Sequence, residues 1–458
     1  QSLFSCLINL ASFQCKERKL KWQNFPSISY DAFVVPTQSV LHSCQTVESD
    51  NFSSSSLMYI RRFHEVVDVA TSKAKPKTIT ISTVCGKVVK FLCKQEKDGD
   101  LRKDSRIMEF NSVVNRLLQE SPEGLRRNLR LRTFSVVCLN EECGILEWVN
   151  HTECLRQLIT LSQPYWNDLF STLNYKDIFQ PFVQLQTKCD SDIDSLVEGY
   201  QELVLNKYRP AFHRWFIEQF QDPTEWIESR NNFTRSAAVW SGVGHVVGLG
   251  DRHTENILID TTNGECVHVD FDCLFDKGLT LARPEIVPFR LTNNMVDAMG
   301  PAGVEGTYRC TLEVTMSLLR ENRETLMSVI EPFLRDPTVA WGRSGRAQRS
   351  VEVGSAITSS KLSHQINFSD HENKEASEML KKISDRLAGV YNLVHPHREK
   401  IVNFYRKKGG GAVAKGVGST IEDTHLPLSV QGQVQRLIDE ATLDENLAQL
   451  YVGWQPWL

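Results

Sequence analysis

Apolar residues change their spacing along the chain, and this change divides most of it into two parts. Up to about residue 150, short β-branched and aromatic runs predict strands, among them Lys77–Thr83, Lys87–Lys94 and Thr133–Leu139. A helix is predicted between the last two runs, because apolar residues share one helical face: Ile107, Phe110, Val114, Leu117 and Leu118. The spacing is mostly helical from about Thr152 to Leu334. We therefore predict an α+β protein with a β-rich lobe, a mainly helical lobe and a ligand site in the cleft between them.

The boundaries of these parts follow from composition and from helix signals. Asp104 and Ser105 are expected to cap the long helix, since their oxygens can accept from free backbone N–H groups. Residues 342–375 are polar and rich in serine, and Lys407–Ser419 contains a run of glycines. We predict five units, which are a helical remnant of a preceding region (1–28), the first lobe (29–150), the second lobe (151–341), a flexible regulatory insert (342–425) and a terminal helical domain (426–458). The chain begins with Gln1, so we expect it to be part of a longer protein.

Composition excludes several classes of protein. The 458 residues are 41% hydrophobic and 24% charged, with a net charge of −4, which argues against a chain that coats nucleic acid. Basic residues between Arg102 and Arg132 are expected to be solvated surface. The twelve cysteines include no C-x-x-C pair, which favours free thiols in a reducing compartment. We find no signal peptide and no apolar run long enough to cross a bilayer, so we expect neither nucleic-acid nor membrane binding by this chain.

The sequence "GLGDRHTENILID" (Gly248–Asp260) places polar side chains between two apolar segments. Protein kinases hold the residue that orients the acceptor and a Mg²⁺-binding asparagine five positions apart, which is the separation of Asp251 and Asn256. Asp270, in "HVDFD", follows a strand-like run and occupies the place of a second Mg²⁺ ligand. We interpret this as a catalytic turn on a rigid scaffold. The alternative is a structural ion pair in which Asp251 and Arg252 cap a helix.

Several further segments carry a resemblance to a known family. The motifs "GDRHxxN", "HVDF" and "PFRLTNNM" resemble the phosphatidylinositol-3-kinase-related protein kinases. "DGDLRKD" resembles the D-L-R-x-D motif of that family, "ILEWV" its hinge, and "QVQRLIDEATLDENLAQLYVGWQPWL" its terminal FATC domain. The match runs from about Asp31 to Leu458, and "GECVHVDFDCLFDKG" is most similar to the ATR-type checkpoint branch. The units 1–28 and 426–458 would then be the end of a FAT region and a FATC domain.

The resemblance implies roles for individual residues. It implies catalytic roles for Asp251 and His253, with His253 stabilising charge on the phosphate, and Mg²⁺ ligation (Mn²⁺ being possible) by Asn256 and Asp270. It further implies an ATP site made of Ser72, Lys94, Asp104, Glu147, Trp148, Val149 and Leu258. Within that site, Lys94 would contact the phosphates, and Glu147 and Val149 would offer backbone groups to adenine.

The sequence departs from the family pattern at three places. Asp272 stands where many relatives have glycine, which puts the usual flip of the Asp-Phe-Gly segment in doubt. Phe134 replaces a tyrosine that commonly lines the inner pocket. Compared with the family pattern, two extra residues separate Lys94 from "DLRKD", which makes Lys97 a rival for the phosphate contact.

The function implied by the resemblance is that of a serine/threonine protein kinase acting on Ser/Thr-Gln sites in DNA-damage and replication-stress signalling. The alternatives are a phosphoinositide lipid kinase and a target-of-rapamycin-like growth kinase. Between Asp270 and Glu285, which we call the activation loop, the only basic residues are Lys277 and Arg283, and this favours a protein substrate. The resemblance also implies a nuclear location, a dimeric full-length protein, activator proteins and an ATRIP-type partner subunit.

Overall fold

A computed structural model describes most of the chain. The described residues are 2–26, 30, 32–38, 57–71, 74–96, 100–162, 175–189, 192–206, 208–336, 361–390 and 427–458. Ser72 and Lys97 lie outside these ranges, as do 342–360 and 391–425 of the predicted insert. Within the described ranges the cysteines are free thiols, and no helix has the length and apolar character needed to span a membrane.

The first lobe is built on an antiparallel sheet of seven strands. Its strands are β1 (Lys19–Lys21), β2 (Ile60–Phe63), β3 (Val66–Val69), β4 (Lys77–Thr83), β5 (Val88–Gln95), β6 (Val136–Cys138) and β7 (Cys143–Glu147). The order is β1-β3-β4-β5-β7-β6, and β2 also pairs with β4. The predicted strands are all present, and β4 has the predicted bounds. Burial alternates along β4, as expected for a strand with one face on a core.

The first residues do not form a separate helical remnant. Helix α1 (Leu3–Ser12) packs against β5 and β7, and β1 forms the edge of the sheet. Lys77, buried at the start of β4, donates from Nζ to the carbonyl oxygen of Ala11 at 2.7 Å. Residues 2–21 therefore belong to the first lobe, because α1 buries its apolar face on that sheet.

The predicted long helix is α2 (Arg102–Glu120), and the short helix α3 (Pro122–Arg126) follows it. The core face of α2 is as expected, except that Leu117 is only partly buried. The predicted cap is wrong, because α2 begins at Arg102 and has no side-chain cap. Asp104 instead accepts from the backbone N–H of Phe271, which lies in the other lobe.

The second lobe is mainly helical, with a small antiparallel sheet at the cleft. The sheet has the order β10-β9-β8, with β8 at Thr152–Cys154, β9 at Ile257–Asp260 and β10 at Cys266–His268. The helices are α4 (Leu155–Ser162), α5 (Tyr175–Lys188), α6 (Ile193–Tyr200), α7 (Phe212–Gln219), α8 (Pro223–Val247), α9 (Asn293–Ala298), α10 (Thr307–Glu321) and α11 (Arg323–Leu334). A π-helical turn, Gln201–Leu205, follows α6.

Helix α8 is largely buried within this lobe. It begins with Asp222, whose carboxylate accepts from the N–H groups of Thr224 and Glu225, and with Pro223 in the first turn. Its second half is buried on all sides, so it lacks an amphipathic pattern. It ends at Gly248, in the left-handed conformation with φ 61°.

Part of the predicted flexible insert is a helix. Helix α12 (Lys361–Ala388) lies within the range 342–425, and its last turns bury Ala376, Leu380, Ile383 and Leu387 against the second lobe. These residues recur every three or four positions, a helical signal that the serine-rich composition around it obscures. The expectation of flexibility is therefore wrong for this segment.

The chain ends in two further helices. They are α13 (Val430–Thr442) and α14 (Asp444–Gln449), followed by a 3₁₀ turn at Val452–Trp454. Apolar residues of both helices and of the last eight residues join the core of the second lobe. We call residues Tyr451–Leu458 the terminal segment.

Candidate active site

The polar loop Gly248–Asn256 begins where α8 stops. At Gly248 a Cβ atom would lie 2.5 Å from Oδ1 of Asp276 and 2.6 Å from its backbone nitrogen, so no side chain fits. The N–H of Asp276 donates to the carbonyl oxygen of Gly248 at 3.0 Å. The end of α8, the polar loop and the activation loop are thus held together at this point.

Arg252 fixes the loop from inside. It is 3% exposed and donates from Nε to the Gly250 carbonyl oxygen at 2.9 Å and from Nη1 to that of Val269 at 2.8 Å. It also donates from Nη2 to the carbonyl oxygen of Asp270. Among the described residues no ion pair joins Arg252 to Asp251. Arg252 therefore connects the polar loop to the chain that follows β10, and the alternative of a capping ion pair is not supported.

Asp251 stands at the edge of the cleft in an uncommon backbone conformation. Its φ is 56°, and that of Asp270 is 63°. Non-glycine residues in this region cost about 1 kcal/mol or more and concentrate at functional sites. The N–H of Asp251 donates to Oε2 of Glu285 at 2.6 Å, which fixes the turn. Burial raises the pKa of the Asp251 carboxyl, although nearby His253 opposes this.

His253 accompanies Asp251 at the mouth of the site. Its Nε2 lies 4.0 Å from Oδ2 of Asp251, and its Nδ1 accepts from the N–H of Glu255 at 3.2 Å. Burial lowers the pKa of His253, and the negative charge of Asp251 partly offsets this effect. The neutral ring is therefore favoured near pH 7, so its Nε2–H can act as a hydrogen-bond donor beside the carboxylate.

Asn256 and Asp270 provide the oxygen atoms expected of a Mg²⁺ site. The side chain of Asn256 donates from Nδ2 to the Asp251 carbonyl oxygen at 2.9 Å, which leaves Oδ1 as its ligand atom. The N–H of Val269 donates to the Asn256 carbonyl oxygen at 3.0 Å, so Asn256 is linked to the residue before Asp270. No group of three His, Cys, Asp or Glu converges within the described ranges. One amide and one carboxylate suit Mg²⁺, which keeps several of its waters.

Lys94 reaches the same region from the sheet. It is the second-last residue of β5, and its Nζ lies 2.5 Å from Oε1 of Glu96. Burial alone would lower the pKa of Lys94, but the carboxylates of Asp104, Asp270 and Glu96 together raise it. Burial raises the pKa of Asp104 to about 6, against the opposing effect of Lys94. Lys94, Asp104 and Asp270 therefore form one electrostatic group across the cleft.

The predicted hinge connects the lobes through β7 and the residues after it. The Glu147 side chain turns into the first lobe, where Oε2 accepts from the N–H groups of Gln38 at 2.8 Å and Ser135 at 3.1 Å. The N–H of Trp148 donates to the Lys90 carbonyl oxygen, while its ring is 41% exposed. In the described part of the chain no acceptor is found for the Val149 N–H. Leu258 lies on β9, two residues after Asn256, and is partly buried. These features suit the proposed backbone contact at Val149 and a ring contact at Trp148.

Two of the departures from the family pattern, Phe134 and Asp272, make defined contacts in the structure. Phe134 is 4% exposed, and its ring centroid lies 6.5 Å from that of Phe271, so it packs against the residue after Asp270. Asp272 is held by two lysines, with Oδ1 3.1 Å from Nζ of Lys103 and Oδ2 2.5 Å from Nζ of Lys277. A glycine at this position could make neither contact.

The terminal segment lies directly beneath the polar loop. Arg290 is buried, and it donates to the backbone oxygens of Trp454, Gln455 and Leu458, each at 2.7 Å. It also donates to that of Arg252 at 3.3 Å, and its guanidinium carbon lies 4.1 Å above the Trp454 ring. Burial lowers the pKa of Arg290 to about 9. Arg290 therefore supports the loop and the terminal segment with one side chain.

Sequence reasoning did not identify Glu285, Arg290, Thr254, Gln455 or Lys103 as site residues. Each acts through a contact between distant parts of the chain; Glu285, for example, is 34 positions from Asp251. Gly250 makes room for these contacts, because a Cβ there would lie 2.8 Å from Oε2 of Glu285 and from Sγ of Cys273. Such crowding explains the glycine but is invisible in the sequence.

Comparisons with known proteins identify the family of the chain. The sequence profile described as phosphatidylinositol 3- and 4-kinase matches residues 89–343, more than half of the chain. The FATC domain profile matches residues 427–458. Protein kinase rad3 of Schizosaccharomyces pombe is 39% identical over 460 residues, which cover 98% of this chain and 17% of that protein. Serine/threonine-protein kinase ATR of Oryza sativa subsp. japonica is 40% identical over 407 residues, covering 89% of this chain and 13% of that protein.

Solved structures agree with the predicted architecture. The FAT and kinase domain of CtTel1 has a TM-score of 0.74 at 27% sequence identity, covering 100% of this chain and 28% of that chain. The open conformation of CtTel1 has a TM-score of 0.75, also at 27% identity. The prediction of an α+β, two-lobed kinase-like fold with a terminal FATC segment is confirmed. The chain spans less than a fifth of the length of the two curated relatives above.

Proposed function

The chain belongs to the phosphatidylinositol 3- and 4-kinase family, and we propose that it transfers the γ-phosphate of ATP to serine or threonine residues of proteins. The observation that carries the proposal is the convergence of Asp251, Asn256 and Asp270 with Lys94 in the cleft between the lobes. The relatives named as serine/threonine-protein kinase ATR and protein kinase rad3 support a protein substrate.

The chain's own residues would orient the reactants and balance charge, which is most of what phosphoryl transfer requires. Asp251 would accept a hydrogen bond from the acceptor hydroxyl and so direct its oxygen toward the γ-phosphorus. Lys94 and His253 would donate to phosphate oxygens. Asn256 and Asp270 would hold Mg²⁺, which when bound neutralises phosphate charge. Val149 would bind adenine through its N–H, with Trp148 and Leu258 packing beside the ring.

The charged residues of the activation loop favour a protein substrate over an inositide headgroup. Inositide headgroups carry several phosphates and need several accessible cations. Lys277 is paired with Asp272 at 2.5 Å, so its charge is already compensated. The acidic residues Asp272, Asp276 and Glu285 outnumber Lys277 and Arg283 in the same loop, which does not suit an anionic headgroup.

The assignment to one type of kinase rests on the relatives named ATR and rad3. We propose a checkpoint kinase of the ATR type that acts on Ser/Thr-Gln sites in the nucleus, with an ATRIP-type partner and activators engaged by a longer chain. Dimerisation of the full-length protein is supported by a CtTel1 structure described as a dimer with C2 symmetry. The wall of a glutamine pocket would be Pro284–Asn294, because this segment follows the activation loop beside Asp251.

A peptide kinase assay with Mg-ATP tests the proposal. Peptides should differ only in the residue after serine, as Ser-Gln, Ser-Glu and Ser-Pro, and phosphatidylinositol should be offered in parallel. A pocket that pairs both the donor and the acceptor of glutamine should favour Ser-Gln strongly. Asp251→Ala should abolish transfer while ATP binding persists. Equal rates on the three peptides would reject the Ser/Thr-Gln assignment, and transfer to the lipid alone would reject a protein substrate.

A further inference from the structure

The first turn of helix α2 contacts the two residues that follow Asp270. Lys103 places Nζ 3.1 Å from Oδ1 of Asp272, and Asp104 accepts at Oδ1 from the N–H of Phe271 at 3.3 Å. Two adjacent residues of the first lobe therefore bind two adjacent residues of the second.

Lys103 is well suited to a fixed ion pair. It is 5% exposed, and a buried ammonium group is costly unless a carboxylate compensates it. Asp272 has a second partner, because Oδ2 lies 2.5 Å from Nζ of Lys277 in the activation loop. Burial alone would raise the pKa of Asp272, but Lys103 and Lys277 keep it below its ordinary value. The Asp272 carboxylate is thus a bridge between helix α2 and the activation loop.

The bridge acts next to Asp270, whose backbone is held by Arg252 but whose side chain has no hydrogen-bond donor among the described residues. Asp270 has a left-handed φ of 63°. Arg252 holds its carbonyl oxygen from one side, and the bridge fixes the chain two residues later. A change in the backbone conformation of Asp270 would move Phe271 and Asp272. It would therefore break the ion pair between Lys103 and Asp272.

We propose that the Lys103–Asp272 ion pair is a positioning tether that keeps Asp270 directed at the metal, so that metal binding depends on the position of helix α2. Lys103 and Asp272 touch neither substrate nor metal in this scheme and act through Asp270. The inference rests on the proposed function, because it assumes that Asp270 binds Mg²⁺ for ATP.

The test measures Mg²⁺-dependent ATP binding for Lys103→Met, Asp272→Ala and the double variant, with Lys87→Met on an exposed turn as control. Loss of groups that orient metal ligands typically costs 10–100-fold in metal affinity. We expect each single variant to require about tenfold more Mg²⁺ for half-maximal binding. The double variant should be no worse than Asp272→Ala alone, because Asp272→Ala already removes the contact with Lys103 together with the contact with Lys277. Hydrogen exchange should rise in 270–277, whereas metal-free ATP binding should stay unchanged.

Two results would overturn the tether. One is an unchanged Mg²⁺ requirement in both folded single variants, and the other is a double variant whose loss is the product of the two single losses. If Lys103→Met does not fold, Asp272→Ala alone decides, because its side chain is at the surface of the cleft. A wild-type chain that binds no ATP at any Mg²⁺ concentration would instead refute the proposed function. The hydrogen-exchange comparison would then still report whether Lys103 restrains the segment.

Discussion

The hydroxyl of Thr254 donates to the side-chain oxygen of Gln455 at 2.6 Å, although the two residues are 201 positions apart. Both side chains are almost fully buried. Thr254 lies in the polar loop between Asp251 and Asn256, and Gln455 lies in the terminal segment. The loop therefore obtains part of its support from the FATC domain.

The Thr254–Gln455 contact should stabilise the fold and the loop together. Thr254→Val leaves a buried amide without its partner, which should lower the free energy of unfolding by about 1–3 kcal/mol. Gln455→Leu should have a similar effect, and the double variant Thr254→Val/Gln455→Leu should lose less than the sum of the two. Chemical denaturation of the four proteins measures this coupling. Strict additivity would show that the contact contributes nothing.

Arg290 should not tolerate lysine. Its planar guanidinium donates to four backbone oxygens of two segments, and a lysine ammonium has three donors in a different geometry. Arg290→Lys should lower stability by about 3 kcal/mol, since hydrogen bonds from charged groups contribute about 1.5–3 kcal/mol each. Arg323→Lys, at an exposed site on α11, serves as the control. Thermal unfolding that is the same for both variants would contradict this role.

Asp270→Asn should weaken the metal site specifically. The substitution removes a carboxylate ligand charge and also a negative charge that raises the pKa of Lys94. We expect loss of Mg²⁺-stimulated ATP binding by about 10-fold or more, with metal-free nucleotide binding maintained or improved. Titration calorimetry with and without EDTA separates the two effects, and Asp68→Asn on the exposed face of β3 is the control. An unaltered Mg²⁺ requirement would place the metal elsewhere.

Asp104 should give the stability of the chain a pH dependence near 6. Its folded pKa is about 6, raised by burial from an ordinary value of 3.8. The folded state therefore keeps a proton that the unfolded chain releases, so its stabilising contribution is present below pH 3.8 and is lost as pH rises through about 6. The Tm of the wild type should fall relative to that of Asp104→Asn between about pH 4 and 7, with no further change in the difference above that range. Measurements without nucleotide and with EDTA avoid the effect of a bound cation. If the Tm of the wild type and that of Asp104→Asn changed in parallel over the whole pH range, the raised pKa of Asp104 would be contradicted.

Arg386 of helix α12 should control the start of the activation loop. It donates from Nη2 to Oδ1 of Asp276 at 2.7 Å and from Nη1 to the Val246 carbonyl oxygen at 3.4 Å. Arg386→Met leaves a largely buried carboxylate without its closest partner, so we expect a loss of about 1–3 kcal/mol in stability. Hydrogen exchange in 270–285 should also increase. Lys381→Met, one turn away on the exposed side of α12, should change neither quantity.

The order of elements and the identity of the central motifs were available from the sequence. Strand β4 has the predicted bounds because its side chains alternate between core and surface, and alternation is a local property. The spacing of Asp251 and Asn256 was informative for the same reason, since a single loop must present both residues. Helix α12 was not predicted, because its apolar repeat lies in a polar, serine-rich segment. The composition of that segment was given more weight than the periodicity.

Contacts between distant segments were decided only by the tertiary structure. Asp104 occupies a position that indicates a helix cap, yet it accepts from Phe271, 167 residues away, because α2 faces the other lobe across the cleft. The partners of Lys103, Thr254 and Arg290 are likewise set by how the lobes and the terminal segment pack. A sequence fixes the chemistry of a side chain and the period of its element, whereas its partner depends on the packing of the whole chain, and no local pattern records that packing.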